Sequence, residues 1–214
     1  KRINHPAIAG FFCGGMVYSK GKAKKGKIMK TYDMRFDAET MAMLQNLKGS
    51  VLKSIRSDAE ALPSSAYGIA EIITSRGAYA LTSTIEVADY FGALEDVAMF
   101  RLFPSTGNMP SRLMSTDMTN IPVEEMIQEI QIVNEHQELF HLGVKTYDVQ
   151  VTRGIIFLLQ NGGEISFEKN IWFSEMISIH KGTPLTNQFI PISEFEEDWT
   201  DDYVGKCERE TIKI

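Results

Sequence analysis

Residues 78 to 88 alternate with a period of two. Tyr79, Leu81, Ser83, Ile85 and Val87 fall on one side, and Ala80, Thr82, Thr84 and Glu86 on the other. That is the period of a strand, because successive side chains of an extended chain point to opposite faces. Gly92 marks a turn before a further strand at about 96–103. So short a link joins antiparallel neighbours, and part of the core must be an antiparallel sheet. The signal recurs at 144–151 and 153–160. The second of these, through Gly154-Ile155-Ile156-Phe157-Leu158-Leu159, is apolar on both faces and therefore central. Asn161-Gly162-Gly163 is a hairpin signal leading into 165–168, and Ile171-Trp172-Phe173 reads as another buried segment.

Helical spacing appears in three places. Asp37 is a good N-cap, and Met41, Leu44, Leu47, Val51 and Ile55 follow at intervals of three or four, which predicts a helix to about Ile55. Ser64 or Ser65 caps a shorter one with Ile69, Ile72 and Ile73 inward, closed by Gly77. Pro122 opens a third, with Glu124 and Glu125 in its first turn and Val123, Met126, Ile127, Ile130 and Val133 along one face, fraying near Asn134. The expected fold is α+β: a mostly antiparallel sheet with two to three helices packed on it and a long apolar surface loop. That loop, Pro104 to Pro122, carries Met109, Leu113 and Met114 beside Arg112. Either these side chains tuck back as a lid, or they form a sticky contact for another copy or a membrane interface.

Charge is unevenly distributed. The first 36 residues hold nine Lys/Arg and one acid, a balance of +8; the whole chain is −6, so residues 37–214 sum to −14. Lys20, Lys22, Lys24, Lys25, Lys27 and Lys30 crowd the 19–30 stretch between apolar runs at 10–18 and 28–36, which read as two strands of a hairpin with a projecting basic loop. Such a loop suits an anionic partner, RNA or acidic lipid. Few aromatics interleave with the lysines, which argues against base stacking. From Ser193 the chain turns acidic, with Phe195, Trp199 and Tyr203 at spacings of four. Residues 1–192 thus read as one domain and 193–214 as an acidic C-terminal segment, a solvated helix face or a partner for the basic loop.

No catalytic, cofactor or metal motif emerges, and no small-molecule substrate is indicated. His136 and His141 are five apart, about 140° around a helix, whereas two zinc ligands on one helical face need a spacing of four. They read as surface or capping histidines. Gly14-Gly15 and Gly162-Gly163 lack the spacing of phosphate cradles. Cys13 and Cys207 imply no disulfide framework and read as two reduced thiols. No apolar run reaches the roughly 18 to 20 residues that span a bilayer as a helix, and an intracellular location is expected, cytoplasmic, at the inner face of a membrane, or inside a virion.

The order of these features resembles that of rhabdovirus matrix proteins. The lysine-rich segment at Lys20–Lys30 comes first, then strand Ile28–Phe36 leading into a helical block at 38–76, then antiparallel strands, then a proline-flanked apolar loop at Met109, Leu113 and Met114. The resemblance implies a non-enzymatic, self-associating protein that condenses ribonucleoprotein against a membrane. Three departures stand beside it: neither a Pro-Pro-x-Tyr nor a Pro-Thr-Ala-Pro sequence is present, the basic stretch lies between strands, and the chain, at −6, is more acidic than such proteins often are. The expected function is therefore an assembly protein that uses the lysine loop for RNA or acidic membrane and residues Met109, Arg112, Leu113 and Met114 for self-association. The rival expectations are a sequence-tolerant RNA-binding accessory protein, an enzyme whose site is assembled from scattered residues, and a protein-interaction module without nucleic acid.

Overall fold

The computed structural model describes residues 31–59, 61–90, 93–113, 116–170, 173–197, 199–200 and 202–214. Among them, eleven strands form one continuous sheet: β1 (Tyr32–Met34), β2 (Val51–Ser57), β3 (Ser64–Tyr67), β4 (Ile69–Thr74), β5 (Gly77–Tyr90), β6 (Ala93–Ser105), β7 (Thr119–His141), β8 (Val144–Leu159), β9 (Glu164–Lys169), β10 (Met176–Gly182) and β11 (Tyr203–Lys213). Two α-helices accompany it, α1 (Ala38–Leu47) and the short α2 (Ile192–Glu197), with a 3-10 turn at Thr186–Gln188. Every strand pair is antiparallel except β1 with β8. The mostly antiparallel sheet is thus present, with less helix than the sequence suggested.

The 23-residue β7 organises the architecture. Its first part pairs with β2, and its remainder pairs with β8 on one side and β11 on the other. The ladder slips where the chain passes from one part to the next. Between the pairs Leu52↔Glu125 and Ser54↔Pro122, Glu124 adopts a left-handed φ of 56°. A bulge of this kind bends and twists a strand. Side chains of β2, β4 and β5 (Leu52, Ile55, Ile72, Leu81) share one core with those of β7, β8 and β9 (Ile130, Phe157, Phe167), and Leu44 and Leu47 of α1 join them. Fully burying one such side chain stabilises by about 1.5–3 kcal/mol.

Three expectations are corrected. The first helix keeps its Asp37 cap, whose carboxylate accepts from the Thr40 amide at 2.8 Å, but it ends at Leu47. Gly49, at φ 76°, turns the chain left-handed, and Val51–Ser57 continue as a strand. The expected helix at 64–77 is instead β3, a left-handed Gly68 and β4. Ile69 to Ile72 are all buried, because β4 lies between β2 and β5 with both faces covered. The expected helix from Pro122 is part of β7. Its Ile and Val side chains suit a pleated, half-buried surface, and pairing with both β8 and β11 supplies the hydrogen bonds a helix would have made internally.

Smaller differences follow from the same pairing. The two strands expected at 144–160 are one strand with an irregularity near Arg153. Phe173 is half exposed rather than buried, and residues 171–172 lie outside the described residues. Of the expected 28–36 strand, 32–34 form a strand that pairs in parallel with Val149–Val151; residues 28–30, the expected partner at 10–18 and the loop at 19–30 lie outside the described residues. Residues 203–213 hydrogen-bond along β7, so the acidic C-terminal stretch contributes a strand to the same sheet.

Candidate functional site

Two charged clusters occupy opposite faces of β7. Glu135 and Gln137 point to one face, His136 and Glu138 to the other, as strand alternation requires.

The first cluster is buried. Glu135 stands opposite Arg209 of β11 and accepts from its Nε at 3.0 Å and its Nη2 at 2.5 Å. Gln137 Nε2 also donates to Glu135, at 2.8 Å. Arg153 of β8 lies 3.8 Å from Glu135 and donates from Nε to Glu168 of β9 at 3.2 Å. Glu168 in turn accepts from the Ile190 amide at 2.7 Å, while Arg209 donates to the Ile190 carbonyl. The segment 183–191 is thereby sewn to the sheet. Phe189 packs against Gly154, where an added Cβ would meet its ring at 2.8 Å and the Phe167 carbonyl at 2.4 Å. Burial raises the Glu168 carboxyl against the pull of Arg153. Burial also lowers the Lys169 ammonium to about 7, with Arg153 adding to the shift and Glu135 opposing it. Cys207 is pushed up to about 12, chiefly by burial and then by Glu135. A thiol held protonated in this way is a poor nucleophile. Acids and bases here satisfy one another and the strap backbone, which is the chemistry of a clamp.

The second cluster is half exposed. Glu138 and Asp148 are direct cross-strand partners on β7 and β8, with His136 two residues along β7. His136 Nε2 lies 3.0 Å from Asp148 Oδ1. The Lys145 ammonium reaches Asp148 Oδ2 at 2.9 Å and also contacts Glu138. Burial works to raise the Asp148 carboxyl, yet Lys145, His136 and the Thr31 side chain together hold it below the usual range. Glu138, then Asp148, raise the Lys145 ammonium. One ligand atom from each of His136, Glu138 and Asp148 falls within 4.8 Å of the others.

Helical spacing does not apply to His136 and His141, because both stand on β7, and on a strand an odd separation sends the two to opposite faces. His141 stacks on Tyr203 at 4.4 Å between ring centres, and His136 turns to the two acids. Asp148 carried no local signal that it would face Glu138; only the β7–β8 register puts them together.

The six lysines Lys20, Lys22, Lys24, Lys25, Lys27 and Lys30 lie outside the described residues. In the connector, the Met109 amide donates to Glu71 at 3.1 Å and its carbonyl accepts from Arg56 at 2.8 Å. Glu71 is itself fully buried and paired with Arg56 at 2.6 Å. Arg112 forms an ion pair with Glu175 at 2.5 Å and lies over the Tyr67 ring. Leu113 is exposed, and Met114 lies outside the described residues. The loop's backbone is therefore held at Met109, the Arg112 side chain is tied to Glu175, and Leu113 is exposed. No helix among the described residues is long and apolar enough to cross a membrane. The sequence matches no protein-family model, no curated protein and no solved structure.

Proposed function

We propose that this chain is a non-enzymatic binding and assembly protein that engages a phosphate-bearing anion, RNA or acidic lipid, through Lys20, Lys22, Lys24, Lys25, Lys27 and Lys30. The observation that carries the reading is the charge partition: +8 over residues 1–36 against −14 over 37–214. An acidic body is repelled by a polyanion, so contact is confined to the basic stretch and fixes an orientation. That stretch leads directly into Thr31 and β1, which is hydrogen-bonded into the sheet beside β8, and a rigid scaffold thus stands at its base. Self-association belongs to the same reading, with Leu113 the exposed apolar contact of the 109–114 loop.

Co-sedimentation with anionic and neutral vesicles, beside an RNA mobility shift at two salt concentrations, tests it. The comparison protein carries Lys22→Glu, Lys24→Glu, Lys25→Glu and Lys27→Glu. Binding to an anion that the variant loses supports the reading. Six phosphate contacts on single-stranded RNA give a log–log salt slope of roughly −4 to −5. Binding to RNA but not vesicles selects a ribonucleoprotein role. Binding to neither removes the basic stretch as an anion site.

A further inference from the structure

We propose that His136, Glu138 and Asp148 form a binding site for a divalent first-row transition ion, best suited to Zn²⁺, and that Lys145 is its built-in competitor. The donor set points to the class of ion. An imidazole suits zinc and its neighbours, two carboxylates add the negative charge, and no thiolate selects a softer metal. Purely oxygen-seeking ions such as Mg²⁺ and Ca²⁺ gain little from a histidine ligand.

Geometry makes the set more than a surface collection of acids. All three residues lie on paired strands, so their backbones are held by the β7–β8 ladder rather than by a loop. Glu138 faces Asp148 directly, and His136 Nε2 is already 3.0 Å from Asp148 Oδ1. Ligands about 2.0–2.2 Å from zinc in tetrahedral array stand roughly 3.4 Å apart. The present spread is at most 4.8 Å. Three protein ligands leave one position for water or another donor.

Lys145 supplies the second observation. Its ammonium contacts both carboxylates at once, the place the ion's charge would occupy. The two carboxylates thus share one cation, the Lys145 ammonium. The lysine side chain is one-third exposed, so its ammonium can swing toward solvent. Metal and Lys145 are therefore mutually exclusive, and removing the lysine charge must tighten metal binding. A structural ion-pair network makes the opposite prediction: without Lys145 the two acids repel and nothing is gained.

Calorimetric titration of the chelator-treated full chain with ZnCl₂ decides between them, with MgCl₂ as the control. One equivalent of Zn²⁺ is expected to bind a site that His136→Gln and Asp148→Asn each weaken by at least about tenfold, the scale of even outer-sphere changes at such sites. Lys145→Met is expected to bind Zn²⁺ more tightly than wild type. His5 and Cys13 lie elsewhere in the sequence, so any zinc they take persists in both ligand variants. In ¹⁵N-histidine spectra, the His136 imidazole resonance must shift on zinc addition while those of His141 and His180 stay in place. Equal zinc affinity in wild type and His136→Gln overturns the site. So does binding seen only in Lys145→Met, which would show that the natural side chain excludes the ion. Metal-free unfolding midpoints close to wild type establish that the variants are folded.

Discussion

Glu135 and Arg209 face each other across the β7–β11 ladder, and the arginine extends past the carboxylate to the carbonyl of Ile190. One side chain thus ties the last strand and the 183–191 strap to the centre of the sheet. Glu135 also lies beside Arg153, so the acid serves two bases. Breaking a buried pair by removing one partner costs about 3–5 kcal/mol, since the other charge is stranded. Glu135→Leu, which strands the Arg209 guanidinium and leaves Arg153 to Glu168 alone, is expected to reach that range in urea unfolding. Arg209→Met is expected to cost less, because Arg153 remains near Glu135. It should also accelerate amide hydrogen exchange at Ile190 as the strap loosens. Equal costs for the two substitutions would show that Glu135 is not a shared acceptor.

Lys169 produces a pH dependence whose sign can be worked out. Its ammonium is lowered from 10.5 to about 7 by burial first and by Arg153 second. Between those values the unfolded chain binds a proton that the folded chain does not, so stability rises with pH. The destabilisation is full below about 7 and is relieved as pH rises through the window. Above 9 the buried Cys207 thiol, raised from 9.0 to about 12, acts in the opposite sense, because only the unfolded chain then loses that proton. Urea midpoints of the wild type should therefore climb from pH 7 to 9. Lys169→Met should flatten that climb, and a slope unchanged in the variant would assign it to another group.

Cys207 should be unreactive in the folded protein. It is buried at the β11–β7 pair, and its amide is capped by Glu196 at 3.2 Å. In a Cys13→Ser background, iodoacetamide at pH 8 is expected to leave the native thiol unmodified and to label it in urea. Mass spectrometry reads both states, and rapid native labelling would mean that the 192–205 cover opens.

Gly154 is required for contact distance rather than for φ. A methyl group there must displace both the Phe167 carbonyl and the Phe189 ring. Overpacking of this kind costs typically about 1–3 kcal/mol. Gly154→Ala is expected to fall in that range in a thermal or urea unfolding experiment. In a double-mutant cycle with Phe189→Ala the two costs should sum to more than the cost of the double variant, because the ring's part of the clash is then gone; strictly additive costs would leave the carbonyl as the sole obstacle.

Local signals served well where the neighbours involved are near in sequence. The Asp37 cap involves Thr40 three residues away, and Asn161-Gly162-Gly163 joins β8 to β9 with Gly162 at φ 82°. The 77–105 hairpin pairs its own two arms throughout. Signals failed where a distant strand decided the outcome. Ile69, Ile72 and Ile73 fit a helical stripe and a strand buried on both faces equally well, and the presence of β2 and β5 on either side selects the strand. The same holds for 122–134, whose apolar residues fall at helical spacing but whose backbone is claimed by β2, β8 and β11.

The sequence by itself determined the charge partition, the cap of the first helix, the long hairpin and the predominance of antiparallel pairing. These follow from composition, from period-two alternation and from turn chemistry, none of which needs a partner far along the chain. Tertiary structure alone decided that β7 bends through Glu124 to serve both parts of the sheet, and that Glu135 meets Arg209 seventy-four residues away. It alone brought His136, Glu138, Lys145 and Asp148 together on one face. Register is the physical reason. A slip of one residue between β7 and β8 would turn every second side chain to the opposite face, and no local pattern specifies which pairing the buried core will select.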